Sequence, residues 1–86
     1  MKELYVTLHT KQDKSPVTIE NSILRECRKY ASVISIQKGQ HTGVADRPGQ
    51  LAALHLRDGD TLTVRVKGAD EDAASIALRI FFQHRI

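Results

Sequence analysis

The chain has 86 residues, 41% hydrophobic and 27% charged, with two Phe, two Tyr and no Trp. That size supports one small domain with one core, built mostly from Ile, Leu, Val and Ala, and excludes a two-domain enzyme. The formal charge of +3 is mild and its lysines and arginines are scattered from Lys2 to Arg85, so a concentrated basic face for nucleic acid is not expected.

The chain begins with alternation: Leu4, Val6 and Leu8 interleave with Tyr5, Thr7 and His9. A period of two predicts a half-buried strand. The polar run from Thr10 to Lys14 breaks it as a loop. Ser15-Pro16 then opens a helix, because a serine hydroxyl can accept from an orphan amide and proline fits the first helical position. Ile19, Ile23, Cys27 and Tyr30 follow at helical spacing, with Leu24 beside them, for an amphipathic helix of about three and a half turns.

Val33, Ile34 and Ile36 begin a second strand. Lys38-Gly39-Gln40 predicts a turn with Gly39 at positive φ, and His41 to Ala45 a third strand in hairpin with the second. Asp46 to Leu54 reads ambiguously: Pro48 and Gly49 weaken it, while Gln50 to Leu54 favours a short helix capped by Asp46. Asp58-Gly59 is a turn, and Leu62, Val64 and Val66 alternate with Thr63, Arg65 and Lys67 as the fourth strand. Asp70-Glu71-Asp72 opens the last helix, where acidic side chains suit the dipole. Its apolar stripe is Ala74, Ala77, Leu78 and Phe81, widened by Ala73, Ile76 and Ile80, and His84 and Arg85 occupy its last turn. The order β-α-β-β-α-β-α predicts an α+β open-faced sandwich, a four-stranded, mostly antiparallel sheet with three helices on one face, over residues 1–86 as one domain.

One cysteine, Cys27, allows no internal disulfide, so the fold needs no oxidising compartment. No apolar run is long enough to span a membrane, and the N-terminus leads straight into a strand pattern rather than a signal peptide. A cytoplasmic location is expected.

The stretch from Leu54 to Ala74 resembles the HPr family, the phosphocarriers of the phosphoenolpyruvate-dependent sugar phosphotransferase system. Leu54, Leu56, Gly59, Gly68, Asp70, Glu71 and Ala74 fall where that family has a leucine pair, a glycine turn, a strand, a glycine, an acidic pair and an alanine entering the last helix. Tyr5 to Leu8 and Tyr30 to Ile36 are also similar to HPr segments, so the likeness runs along nearly the whole chain. The family implies a Gly-Leu-His-x-Arg-Pro-Ala motif at the head of the first helix, its histidine carrying the phosphoryl group and its arginine and helix N-terminus balancing the charge. The equivalent stretch here is Asp13-Lys14-Ser15-Pro16-Val17-Thr18-Ile19. The histidine position falls on Ser15 or Pro16 and the arginine position on Val17 or Thr18. The family's regulatory serine falls on Arg47, and Pro48 and Gly49 replace the apolar residues that HPr exposes, with Leu51 remaining. The resemblance therefore implies a docking surface of Val17, Thr18, Asn21, Leu24, Arg47, Pro48 and Leu51, although Leu24 could equally widen the core face.

The histidines are His9, His41, His55 and His84, none at the helix head. His9 could approach the site loop as an alternative acceptor, but an exposed strand-end residue is the simpler expectation. His41 and His55 read as surface residues and His84 as a dipole partner. Ser15 stands nearest the missing imidazole; capping accounts for it without chemistry, although a kinase could use it. Lys11 and Lys14 beside it could draw an anion or simply be solvated. No paired His or Cys spacing supports a metal, and Cys27 reads as a small core hydrophobe. No cofactor is expected.

Three functional readings follow. The first is a protein-binding module rather than an enzyme, HPr-like but without histidine phosphorylation, whose partners would be enzyme I-like or EII-like proteins or a transcriptional regulator. The second is a phosphocarrier using Ser15 or His9. The third is a basic nucleic-acid-binding domain using Arg25, Arg28 and Lys29, a cluster that Glu26 interrupts.

Overall fold

The computed structural model describes residues 1–9, 15–47 and 49–85. Its strands are β1 (Lys2–Thr7), β2 (Val33–Lys38), β3 (His41–Val44) and β4 (Thr61–Lys67), and its helices are α1 (Pro16–Cys27) and α2 (Glu71–Ile80). The last helix runs on through a π-type turn over Phe81–Arg85.

All pairings are antiparallel, in the order β1-β4-β2-β3. The alternation that marked the strands fixes their register: Val64 stands between Leu4 and Ile36, and Val66 between Lys2 and Ile34. A one-residue slip would turn every inward side chain outward, so the pattern admits one register. The inward rows meet Ile19, Ile23 and Cys27 of α1 and Ala74, Leu78, Phe81 and Phe82 at the C-terminal end. Among the described residues no helix covers the opposite sheet face. There Arg65 bridges strands, donating through Nε to Glu3 Oε2 at 3.0 Å and through Nη1 to Gln37 Oε1 at 2.6 Å.

Three expectations need correction. The short second helix, expected over Gln50–Leu54 with Asp46 as its cap, is a single 3-10 turn, Ala52–Leu54, with no side-chain cap. Among the described residues the sheet therefore carries two helices, not three. The first helix stops at Cys27 rather than reaching Tyr30, whose hydroxyl instead donates back to Glu26 Oε2 at 2.8 Å. Ala73, Ile76 and Ile80 do not widen the core stripe of α2; all three are exposed, and the stripe is completed instead by Phe82. Val33 likewise faces solvent. Gly39 takes the positive φ expected of it, 61°.

A carboxylate ties together two segments far apart in the chain. Asp70 is placed as the N-cap of α2 but makes no side-chain cap bond. Its Oδ2 accepts from the Ala31 amide and its Oδ1 from the Ser32 amide, both at 2.9 Å, and the Ser32 hydroxyl donates to Oδ1 as well. These bonds, the Ser32 hydroxyl first, hold the Asp70 carboxyl below the usual carboxylate range. They clamp the start of β2 to the start of α2.

Candidate functional site

The head of α1 is built by Ser15 and Pro16. Ser15 is extended, φ −65° and ψ 154°, and its Oγ accepts from the Thr18 amide at 3.2 Å. The Ser15 and Thr18 hydroxyls are also bonded to each other at 3.0 Å. The Ile19 amide donates to the Ser15 carbonyl at 3.1 Å. Pro16 has no N–H to offer. Of the first-turn amides, Thr18 and Ile19 are thus already engaged. A helix N-terminus binds phosphate through free amides and its dipole; this one uses its own hydroxyl in place of an incoming oxygen.

Val17, Asn21 and Leu24 follow at spacings of four and three, so they form one row along α1. Val17 is 62% exposed and Asn21 is exposed, while Leu24 is partly buried against the core. Of the two roles open to Leu24, the structure thus gives it a share in the core while leaving part of it at the surface. Thr18 is exposed.

The 3-10 turn Ala52–Leu54 touches α1, and the segment leading into that turn carries Arg47. Arg47 is exposed there, its amide donating to Val44 O at 3.1 Å and its carbonyl accepting from Gln50 N at 3.3 Å. The expected contact Pro48 lies outside the described residues. Leu51 is a correction: only 2% exposed, it anchors the segment in the core and offers no docking surface. Two features hold the segment on the hairpin. Gln50 Oε1 accepts from the Val44 amide at 2.7 Å. Gly43 lets the backbone approach so closely that a Cβ there would stand 2.8 Å from the Gln50 carbonyl oxygen. The sequence marks Gly43 only as a glycine in a strand, which is a sign of close backbone approach.

The other candidates are dispersed. His9 is exposed beyond β1 and lines a cleft with Tyr5, Val6, Thr7, Phe82 and Gln83, none of them from α1. His55 is exposed in a left-handed conformation, φ 50°. Its carbonyl accepts from Lys38 Nζ at 2.8 Å, and the same ammonium pairs with Asp60 at 2.9 Å. His41 and His84 are exposed. Cys27 is buried, and burial, then the nearby Glu26 charge, push its thiol up to about 12; at neutral pH it is no nucleophile. Lys11 and Lys14 lie outside the described residues. Among the described residues no group of three or more His, Cys, Asp or Glu side chains could hold a metal, and no helix is long and apolar enough to cross a membrane.

In the sequence Glu26 stands only as an interruption of a basic run. It is 3% exposed, and its Oε1 accepts from Lys29 Nζ at 3.0 Å while Oε2 accepts from Tyr30. Its spacing, three from Lys29 and four from Tyr30, was the available signal. Lys29 is thereby engaged, which subtracts a cation from the cluster that the nucleic-acid reading relied on.

The family model for the HPr component of the phosphotransferase system, described by its phosphorylation site, matches residues 20–84. The chain belongs to the HPr family. The match begins after the head of α1, so the segment from Ser15 to Ile19 is not part of it. No curated protein sequence matches the chain. Among solved structures, HPr-C-His from Thermoanaerobacter tengcongensis superposes with a TM-score of 0.81 at 21% identity, covering 96% of this chain and 92% of that one. The phosphocarrier protein HPr of Bacillus anthracis gives 0.78 at 21% identity, covering 95% and 96%. The histidine-containing phosphocarrier protein of Mycoplasma gives 0.69 at 19% identity, covering 93% and 92%. At these identities the likeness is one of fold.

Proposed function

We propose that this HPr-family chain is a cytoplasmic protein-binding module of the phosphotransferase system that docks a partner without carrying phosphate on histidine. The carrying observation is the occupied head of α1. The sequence has no histidine between His9 and His41, and the Thr18 amide is taken by the Ser15 hydroxyl. Carriage needs a nucleophile of suitable pKa and a charge clamp for the phosphoryl group; a capping serine followed by proline supplies neither. What the head does offer is a surface: exposed Val17, Thr18 and Asn21, the outer edge of Leu24, and Arg47 on the neighbouring segment. An exposed apolar side chain with polar neighbours along its helix suits a modest protein interface. The partner class is an enzyme I-like or EII-like protein, or a transcriptional regulator that reads the HPr surface.

The test is incubation with phosphoenolpyruvate and enzyme I, read by intact mass. The expected result is an unmodified chain that still binds a phosphotransferase protein, with Val17→Asp weakening that binding about tenfold or more. A phosphoryl adduct abolished by Ser15→Ala or His9→Ala would overturn the reading in favour of carriage on another acceptor.

A further inference from the structure

Ile76 and Ile80 are 65% and 50% exposed. They are separated by one helical turn on α2. Successive residues of a helix are about 100° apart, which puts both isoleucines opposite Ala74, Ser75, Leu78 and Phe81, the buried face of the same helix. They therefore occupy the middle of the solvent side rather than an edge of the core stripe, and exposed Ala73 lies on the same side. A single exposed isoleucine is ordinary; a continuous apolar stripe down the outer face of a helix signals a contact.

The flanks of the stripe say what kind. Asp72 and Arg79 lie on the same flank, Asp72 toward the N-terminal end of α2 and Arg79 toward its C-terminal end. When two copies of one helix pair antiparallel about a two-fold axis, like flanks face each other and opposite ends meet. With the axis beside Ile76, that residue meets its own copy. Ile80 then lies over the partner's Ala73, which is small enough to leave room for it. Asp72 falls beside the partner's Arg79, and Arg79 beside the partner's Asp72. The spacing that aligns the apolar contacts is the one that aligns the charges. Among the described residues the Asp72 carboxylate pairs with exposed Lys2 at 3.1 Å, and Arg79 has no ion pair.

We propose that the outer face of α2 is a self-association surface on which a second copy of this chain packs antiparallel through Ile76, Ile80 and Ala73, in register set by Asp72 and Arg79. One helix pair buries less than a stable interface does, so the dimer is weak and reversible. The surface belongs to α2, not α1, and is independent of the docking face described above.

Sedimentation equilibrium over a concentration series reaching about 1 mM, where such weak pairs become populated, tests it. Reversible dimerisation is expected, and Ile76→Asp abolishes it while leaving the circular dichroism spectrum unchanged, since the side chain is exposed. Asp72→Arg and Arg79→Asp alone each weaken it by about three- to tenfold, because every pair occurs twice in the dimer. Combined, they restore it. A chain that stays monomeric throughout would hand the stripe to a different protein and overturn the proposal. So would a dimer indifferent to Ile76→Asp, or a double charge reversal that fails to rescue.

Discussion

The two helices of this chain begin differently. At α1, Ser15 caps its own helix, with its hydroxyl on the Thr18 amide. At α2, Asp70 holds the cap position yet turns its carboxylate away, onto the amides of Ala31 and Ser32. The first arrangement is local and would serve any helix. The second is long-range, joining residues 38 and 39 positions apart in the chain. The likeness to HPr falls along the same division: the family match covers the Asp70 end and begins beyond the Ser15 end. The long-range connections that build the sandwich carry the family pattern, and the head of α1 lies outside the matched stretch.

Substitutions at the two ends should separate these roles. The largest loss is expected in the frame. Phe82 is 1% exposed and meets Phe81 edge to face, with ring centroids 5.2 Å apart. Phe82→Ala should cost about 3–5 kcal/mol by denaturant unfolding, whereas Val17→Ala at the exposed head of α1 should stay within about 0.5 kcal/mol. Comparable losses at the two positions would erase the distinction between frame and surface.

Asp70→Asn should also destabilise, with a pH signature. The carboxyl of Asp70 is lowered in the folded chain from its ordinary 3.8. A lowered folded value means that the contribution is fully present above the unfolded value, and is lost as pH falls through it toward the folded one. The stability gap between wild type and Asp70→Asn should thus be constant at neutral pH and close in acid below the ordinary carboxylate value. A gap that persists unchanged to the lowest pH would mean that the charge is not what the clamp uses.

Gly43→Ala probes the segment that carries Arg47. The added Cβ would stand 2.8 Å from the Gln50 carbonyl oxygen, so backbone must move, at about 1–3 kcal/mol. Partner binding should weaken along with stability, because the shift displaces Arg47. Unchanged binding by an otherwise folded Gly43→Ala chain would remove Arg47 from the docking surface.

Much of this fold was legible. Period-two alternation located β1 and β4, the Lys38-Gly39-Gln40 turn located the β2–β3 hairpin, and Ser15-Pro16 and the Asp70-Glu71-Asp72 run located both helix starts, because backbone hydrogen bonding and burial act at short range. The misreadings arose where tertiary contacts decide. Ile76 and Ile80 look like core residues to any periodicity count; only the direction in which Leu78 and Phe82 face the sheet shows that they point away. Leu51 was transferred from a family surface, but with the second helix reduced to one 3-10 turn its side chain turns inward. Glu26 was discounted as a break in charge, since burial of a carboxylate against Lys29 and Tyr30 cannot be read from composition. At the head of α1, the sequence alone identifies the capping serine, whereas the engaged Thr18 amide requires coordinates.

The smallest effect is the most diagnostic. If Ser15 is a cap and nothing more, Ser15→Ala should cost about 1 kcal/mol, the usual loss when a capping hydroxyl is removed. Ser15→Asp should then recover it, because a carboxylate caps as well as a hydroxyl and its charge suits the helix N-terminus. An acceptor role predicts a different pattern. Aspartate cannot take up a phosphoryl group from a serine kinase, and a negative charge at the head of α1 would imitate the modified state, changing partner binding while stability is restored. Measuring stability and binding on the same three chains therefore separates the roles. Recovery of stability with unaltered binding leaves Ser15 as a cap. A switch in affinity with Ser15→Asp alone makes the head of α1 a charge-sensitive contact, and the serine a regulatory site.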